Sequence, residues 1–210
     1  MVHSKEIEIP LAGVTLKGNL DIPEGAKAMV VFVHGSGSSR LSPRNTLVAN
    51  YLQQFSLGTL LFDLLTEEED KEYANRFNIH LLTQRLLGAT AWLQHQAEAS
   101  GKPVGFFGAS TGAAAALKAA AALPGIRVVV SRGGRPDLAG NTLPYVHAAT
   151  LLIVGEMDFD VLQLNYEAFN ALTCVKKVEI VEGATHLFEE PGAMEQVSSL
   201  AADWFREYLL

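Results

Sequence analysis

The chain opens on a period-two pattern. Ile7 and Ile9 flank the charged Glu8, and after Ala12-Gly13 the apolar positions Val14, Leu16, Leu20 and Ile22 keep an even spacing. Alternation of this kind fits strands with one covered face, and the Ala12-Gly13 break fits a turn. An antiparallel hairpin at a sheet edge is predicted. The pattern then changes to short, almost unbroken apolar runs: Met29–Val33, Leu60–Phe62, Val104–Phe107, Ile126–Val130 and Leu151–Val154, with Val175–Val181 a less pure last member. Such runs suit parallel strands covered on both faces.

Helical spacing separates these runs. Ser42-Pro43 is an N-cap and first-turn pair, and Leu47, Val48, Tyr51, Leu52 and Phe55 behind it are predicted to share one face. Ile79, Leu82, Leu86, Ala89 and Leu93 step by three and four. Thr111–Ala122 is rich in alanine, and a last helix is predicted from about Pro191, with Val197, Leu200, Ala201 and Trp204 facing inward. Strands alternating with helices imply right-handed crossovers. The predicted fold class is α/β: a doubly wound, mostly parallel sheet with an N-terminal antiparallel hairpin. The acidic knot Glu67–Asp70 reads as solvated loop. No repeat, linker or shift of composition interrupts the chain, so residues 1–210 are read as a single domain. Only about 20 residues lie between Val130 and Leu151, which leaves no room there for a large cap.

Composition narrows the function classes. Apolar residues make up 49%, enough for a core, and a net charge of −7 argues against a surface built to hold nucleic acid or an acidic membrane. The single cysteine, Cys174, excludes an internal disulfide and a four-cysteine zinc site. The opening MVHSKEIEIP has no apolar signal-peptide region, and the run Ala28–Val33 is too short to span a bilayer. A cytoplasmic location is the expectation.

The strongest chemical signal is Gly108-Ala109-Ser110-Thr111-Gly112, which follows one apolar run and opens the alanine-rich helix. A nucleophile on a sharp strand-to-helix turn needs small residues two positions away on either side, where side chains would meet the adjoining strand and helix. Ser110 is the candidate nucleophile. A serine hydroxyl needs a general base, and His186, in the loop after the last run, is the candidate. The acid that orients it should follow the Leu151–Val154 run. Asp158 is favoured, with Asp160 and then Glu156 as rivals, because sequence alone does not fix the turn. His3, His80, His95 and His147 lack a correlated role and show no metal-ligand spacing. An oxyanion hole should draw one backbone N–H from Thr111 and a second from the loop His34–Arg40, where Ser36 is favoured. Arg40 and Arg44 flank that loop and Arg132 follows the Ile126–Val130 run. One of them is a candidate to tie loops together by pairing with Asp63, and one to recognise an anionic substrate group.

Taken together, HGSGSS at His34–Ser39, FFGASTGA at Phe106–Ala113, LLIVGEMD at Leu151–Asp158 and GATHLFEE at Gly183–Glu190 resemble the alpha/beta-hydrolase family. The subset most like this chain is the small dienelactone-hydrolase-like proteins. The resemblance runs from about Ile7 to Trp204. It implies Ser110 as nucleophile, Asp158 as acid, His186 as base, and Thr111 and Ser36 as oxyanion-hole amides. Dienelactone hydrolases proper usually carry a cysteine nucleophile, and Ser110 departs from that. SRGGRPDLAG at Ser131–Gly140, with SPRN at Ser42–Asn45, resembles a subset fused to phosphoribosyltransferase domains, but VVVSRGGRP carries no acidic pair of the kind that activity needs. The expected function is hydrolysis of small carboxylic esters, or related thioesters or lactones, through an acyl-enzyme, with no metal and no organic cofactor. The expected partner is a small acyl substrate in a shallow pocket, with homo-oligomerisation left open. A catalytically inactive binding module on the same fold is the alternative from a different class.

Overall fold

The computed structural model describes all residues, Met1–Leu210. Its strands are β1 (Val2–Leu11), β2 (Val14–Pro23), β3 (Ala28–Val33), β4 (Leu57–Phe62), β5 (Val104–Ala109), β6 (Ile126–Arg132), β7 (Ala149–Gly155) and β8 (Lys176–Val181). They form one sheet in the order β1-β2-β4-β3-β5-β6-β7-β8. The hairpin β1–β2 is antiparallel with Ile9 opposite Leu16, and β2 meets β4 antiparallel; every later pairing is parallel. The predicted α/β class and the edge hairpin are both present.

The unbroken apolar runs have the expected cause. Successive residues of a strand face opposite sides, and both sides are covered. Met29, Val31 and Val33 join one core cluster with Phe106, Val129 and Leu152; Ala28, Val30 and Phe32 join the other with Phe107, Val128 and Val130. The first side is covered by α3 (Ile79–Gln94), α4 (Thr111–Ala122) and α5 (Phe159–Ala171), the second by α1 (Pro43–Gln53) and α6 (Ala193–Tyr208). Ser42 caps α1, its Oγ accepting the Asn45 N–H at 3.4 Å.

Two local readings need correction, and one helix has no counterpart in the apolar pattern. Glu67–Asp70 is one turn of helix, α2, closed by a Thr66–Glu69 capping box, and its carboxylates pair with Lys17, Lys71, Arg85 and Arg76. Local capping and charge pairing supply what the apolar pattern lacks. Leu47 lies on the open side of α1, whose buried positions are Asn45, Val48, Ala49 and Leu52. Helix α5 has no bounds in the apolar pattern because a polar residue, Asn165, sits at its buried centre. The Asn165 side-chain amide donates to Gly134 O at 3.0 Å and Val161 O at 2.7 Å.

Between β6 and β7 lies only a 3-10 segment, Pro136–Tyr145, rather than a cap domain. No helix is long and apolar enough to cross a membrane.

Candidate active site

The loops at the carboxyl ends of the parallel strands bring the predicted residues to one edge of the sheet. Ser110 stands between β5 and α4 with φ 49° and ψ −122°, a conformation costly for a residue with a Cβ. Its N–H donates to Arg132 O at 3.2 Å, and its carbonyl accepts from Ala113 and Arg135 N–H, both at 3.1 Å. The glycines around it are required by close approach. A Cβ on Gly112 would stand 2.1 Å from Val33 O, and one on Gly108 would stand 2.5 Å from Ala113 Cα. Backbone cannot yield at those distances, so both positions exclude larger residues.

Asp158 ends the turn after β7, and its Oδ2 lies 2.6 Å from His186 Nδ1. The Asp158 side chain is largely buried and that of His186 is about a third exposed. The rival carboxylates do other things. Glu156 accepts the Gly183 N–H at 2.8 Å, tying the β7 turn to the histidine loop, and Asp160 lies exposed in the first turn of α5. Met157 N–H donates to Ala184 O at 2.9 Å, a second tie between the same loops. The His186 ring lies over Gly133, with Cε1 3.6 Å from where a Cβ there would stand. Gly133 directly follows the residue whose carbonyl holds the Ser110 N–H, so imidazole and serine share one neighbourhood. Their Oγ and Nε2 form no hydrogen bond to each other; such bonds are often long before substrate binds.

Thr111 is the first residue of α4, where backbone N–H groups have no intrahelical acceptor. The Ser36 N–H, in contrast, is engaged: it donates to Thr111 Oγ1 at 3.0 Å. Sequence reasoning placed these two residues together but did not foresee that contact.

The loop carrying Ser36 is held from behind. His34 is 8% exposed, and its Nε2 accepts the Leu64 N–H at 3.0 Å. That fixes the ring proton on Nδ1, which lies 2.9 Å from Gly35 O. Burial holds this imidazole below its ordinary pKa. Asp63, the residue after β4, accepts the Arg40 N–H at 2.8 Å and Arg40 Nη1 at 2.6 Å. Of the two roles open to the arginines, Arg40 therefore has the loop-tying one.

Arg44 and Arg132 are different. Arg44 Nη1 reaches Glu189 at 3.2 Å, while its Nε is buried without a partner. Arg132 is 6% exposed, its side-chain Nε is buried without a hydrogen-bond partner, and it forms no ion pair. Its Cζ lies 5.7 Å from the centroid of the Phe188 ring. Burial, together with the like charge of Arg44, pulls its pKa down to about 10, which leaves it cationic at neutral pH.

A cavity of about 590 Å³ lies beside this arrangement rather than on it. It is lined by Lys17, Ser38, Arg40, Asp63, Glu67 and Lys71 among others, and none of Ser110, Asp158 or His186 borders it. Polar walls of both signs and the absence of the candidate nucleophile argue that this groove is the back of the Arg40 loop. No group of three or more His, Cys, Asp or Glu side chains is placed to hold a metal ion.

The sheet order and the sharp Ser110 turn between β5 and α4 fit an alpha/beta-hydrolase fold. No family model matches the chain. The crystal structure of a dienelactone hydrolase from Anabaena variabilis superposes with a TM-score of 0.96 at 51% identity, covering 100% of this chain and 99% of that one. The chain belongs to the alpha/beta-hydrolase superfamily, in its dienelactone-hydrolase-like branch. Est1E from Butyrivibrio proteoclasticus shares the fold at 14% identity, with a TM-score of 0.82 over 96% of this chain and 98% of that one. Two curated Mycobacterium tuberculosis proteins, from two strains, are 52% identical over 209 residues, or 99% of this chain. Both carry provisional names as phosphoribosyl transferases. The chain spans about half their length, 47%.

Proposed function

We propose that the protein is a serine hydrolase of small carboxylic esters, or of related thioesters or lactones, acting through an acyl-enzyme on Ser110. The observation that carries the reading is the pairing of a strained Ser110 at the β5–α4 turn with a histidine held at 2.6 Å by Asp158 in the adjoining loop. Strain of this kind is retained where a side chain must project from the backbone.

In this mechanism His186 takes the Ser110 proton through Nε2 as Oγ attacks the acyl carbonyl. Asp158 fixes the tautomer, keeping the Nδ1 proton toward itself, and stabilises the imidazolium that forms. The Thr111 N–H stabilises the developing oxyanion. The Ser36 N–H is the second donor; the Thr111 hydroxyl holds it over the elbow until the oxyanion competes for it. His186 then protonates the leaving alcohol, and later activates water to release the acid and regenerate Ser110.

The transferase name of the longer relatives is not carried to this chain. Its 209 matched residues include the elbow and the acid–histidine pair, and the stretch around Arg132 lacks paired acids. The test is labelling with a fluorophosphonate, followed by mass spectrometry, and steady-state hydrolysis of p-nitrophenyl butyrate. Ser110 should be the labelled residue, and Ser110→Ala should lower kcat by about 10³-fold or more without loss of fold. An unlabelled, inactive but folded wild type would identify a binding module instead.

A further inference from the structure

The sheet has two edges, β1 and β8, and the chain treats them differently. The β1 edge is guarded: Glu6 and Glu8 stand exposed on it, and Pro10 supplies no N–H near its end. The β8 edge has no such guard. Val175 O accepts the Thr150 N–H at 2.8 Å and Val181 O accepts the Glu156 N–H at 3.0 Å, so Val175, Lys177, Glu179 and Val181 bond toward β7. Alternation turns the N–H and C=O groups of Lys176, Val178 and Ile180 outward, where no strand meets them. The charges that usually blunt such an edge are neutralised within the chain. Lys176 is tied to the end of α5, its Nζ donating to Phe169 O at 2.5 Å and Leu172 O at 2.6 Å. Lys177 pairs with Glu179 at 2.5 Å. Val175 and Ile180 are left 55% and 39% exposed on the same stretch.

We propose that β8 pairs antiparallel with β8 of a second copy about a two-fold axis at Val178, making a homodimer with one sheet running through both chains. The register follows from the edge itself. Antiparallel pairing needs outward groups to face outward groups, which Val178 opposite Val178 supplies, with Lys176 opposite Ile180 on either side; about six inter-strand hydrogen bonds result. The same register sets each Lys177 opposite Glu179 of the other copy, where directly opposed Cβ atoms lie about 4.5–5.5 Å apart. Four charges then alternate in sign around the axis, each Glu179 between two Lys177 ammonium groups. Val175 falls opposite Val181. The neighbouring registers that also keep outward groups together are centred on Lys177 or on Glu179, and both put like charge on like charge. Charge therefore selects Val178 as the centre, and it selects a second copy as the occupant, because the edge is complementary to itself.

The experiment is sedimentation velocity of the full chain from micromolar to several hundred micromolar. Wild type should sediment as a dimer at the upper end. Lys177→Glu sets a carboxylate opposite Glu179 at both symmetry-related places, and Glu179→Lys sets ammonium opposite Lys177. Each should raise the dimer Kd by about tenfold or more. The exchange variant Lys177→Glu/Glu179→Lys restores opposite signs and should dimerise like wild type. An equal mixture of the two single variants should also dimerise, because every opposed pair is then opposite in sign. That result separates a contact between copies from loss of the Lys177–Glu179 pair within one chain. Val178→Pro removes an outward N–H while sparing the bonds to β7, and it should sediment as a monomer. Circular dichroism and melting establish that each variant is folded; if Val178→Pro is not, the charge variants decide. A wild type that stays monomeric throughout leaves the edge to a different chain and overturns the proposal. A dimer that the single variants leave intact, or a mixture no more dimeric than its components, places any dimer contact on another face and overturns it as well.

Discussion

Removing the Asp63 carboxylate should loosen the loop that carries Ser36. In Asp63→Ala two contacts disappear together: the Arg40 N–H at 2.8 Å and Arg40 Nη1 at 2.6 Å. The side chains are 18% and 17% exposed, so the pair is neither a surface bridge nor a dry one. Breaking one partner of a fully buried pair costs about 3–5 kcal/mol, and an exposed pair contributes about 0–1 kcal/mol. Solvent screening of this pair places the loss between those limits, at about 2–3 kcal/mol. The buried, unpartnered Arg40 Nε adds to the penalty once the carboxylate is gone. For 210 residues, an unfolding entropy of about 2.1 cal/mol/K per residue converts 2.5 kcal/mol into a fall in Tm of about 6 °C.

Urea unfolding and thermal melting measure that loss, and the double variant Arg40→Met/Asp63→Leu tests its cause. With both charges gone the orphaned guanidinium is gone too, and most of the lost stability should return. Only the Arg40 N–H stays unpaired, at a cost of about 1 kcal/mol. The coupling between the two substitutions should exceed about 1 kcal/mol. In Asp63→Ala, kcat for p-nitrophenyl butyrate should fall about tenfold, less than the 10²–10³ lost with a whole oxyanion donor, because the Ser36 amide is displaced rather than deleted. A destabilisation below about 0.5 kcal/mol, or additive single and double variants, would falsify the view that this pair clamps the loop.

Three further outcomes are expected. Asp158→Asn should lower kcat by about 10²–10⁴-fold, while Asp160→Asn changes it less than twofold; equal losses would mean that the 2.6 Å contact does not single out the working acid. Because burial depresses the His34 pKa, the folded chain binds fewer protons there than the unfolded chain, whose histidine titrates near 6.5. This group's contribution is therefore whole above about pH 6.5 and declines as the pH falls from there toward the lower folded value. Melting curves from pH 8 to 5 should show that decline, and His34→Gln should flatten it. Finally, with only a short 3-10 segment between β6 and β7, added methylenes stay wet and supply little of the roughly 0.8 kcal/mol each could gain. The kcat/KM for p-nitrophenyl acetate or butyrate should exceed that for the palmitate by more than tenfold, and an optimum at twelve carbons or longer would contradict this.

The sheet was legible because burial on both sides removes alternation from central strands, and the tight turn at Ser110 was legible because Gly108 and Gly112 answer to distances of 2.5 Å and 2.1 Å that no other residue tolerates. The acid needed the structure. Asp158, Asp160 and Glu156 lie within five residues, and only the turn after β7 decides which one meets His186. The arginines needed it more. Arg40, Arg44 and Arg132 look alike in sequence, yet one is paired behind the loop, one is half-paired at the rim and one is buried alone. His34 was legible only as part of a glycine- and serine-rich loop. Its work, accepting the Leu64 N–H, depends on β3 and β4 lying side by side. The α2 turn was missed because its stabilisation is capping and charge, which hydrophobic spacing does not record.

Where the unfavourable features lie is itself an argument about function. Positive φ at a residue with a side chain costs about 1–3 kcal/mol, and three such residues occur: Ser56, Ser110 and Phe188. Ser56 is ordinary; it turns the chain from α1 into β4 at the amino edge of the sheet. Ser110 and Phe188 sit at the opposite edge, one at the elbow and one in the loop of His186. The unpartnered guanidinium of Arg132 lies against Phe188, and its backbone holds Ser110. A chain under selection for stability alone would scatter or remove such costs. Here a strained serine, a strained aromatic residue and a buried unpaired cation share one patch, joined through Gly133, where His186 also rests. The carboxyl edge of β5 and β6 is thus where stability has been given up, at the turn that holds Ser110 out from the sheet.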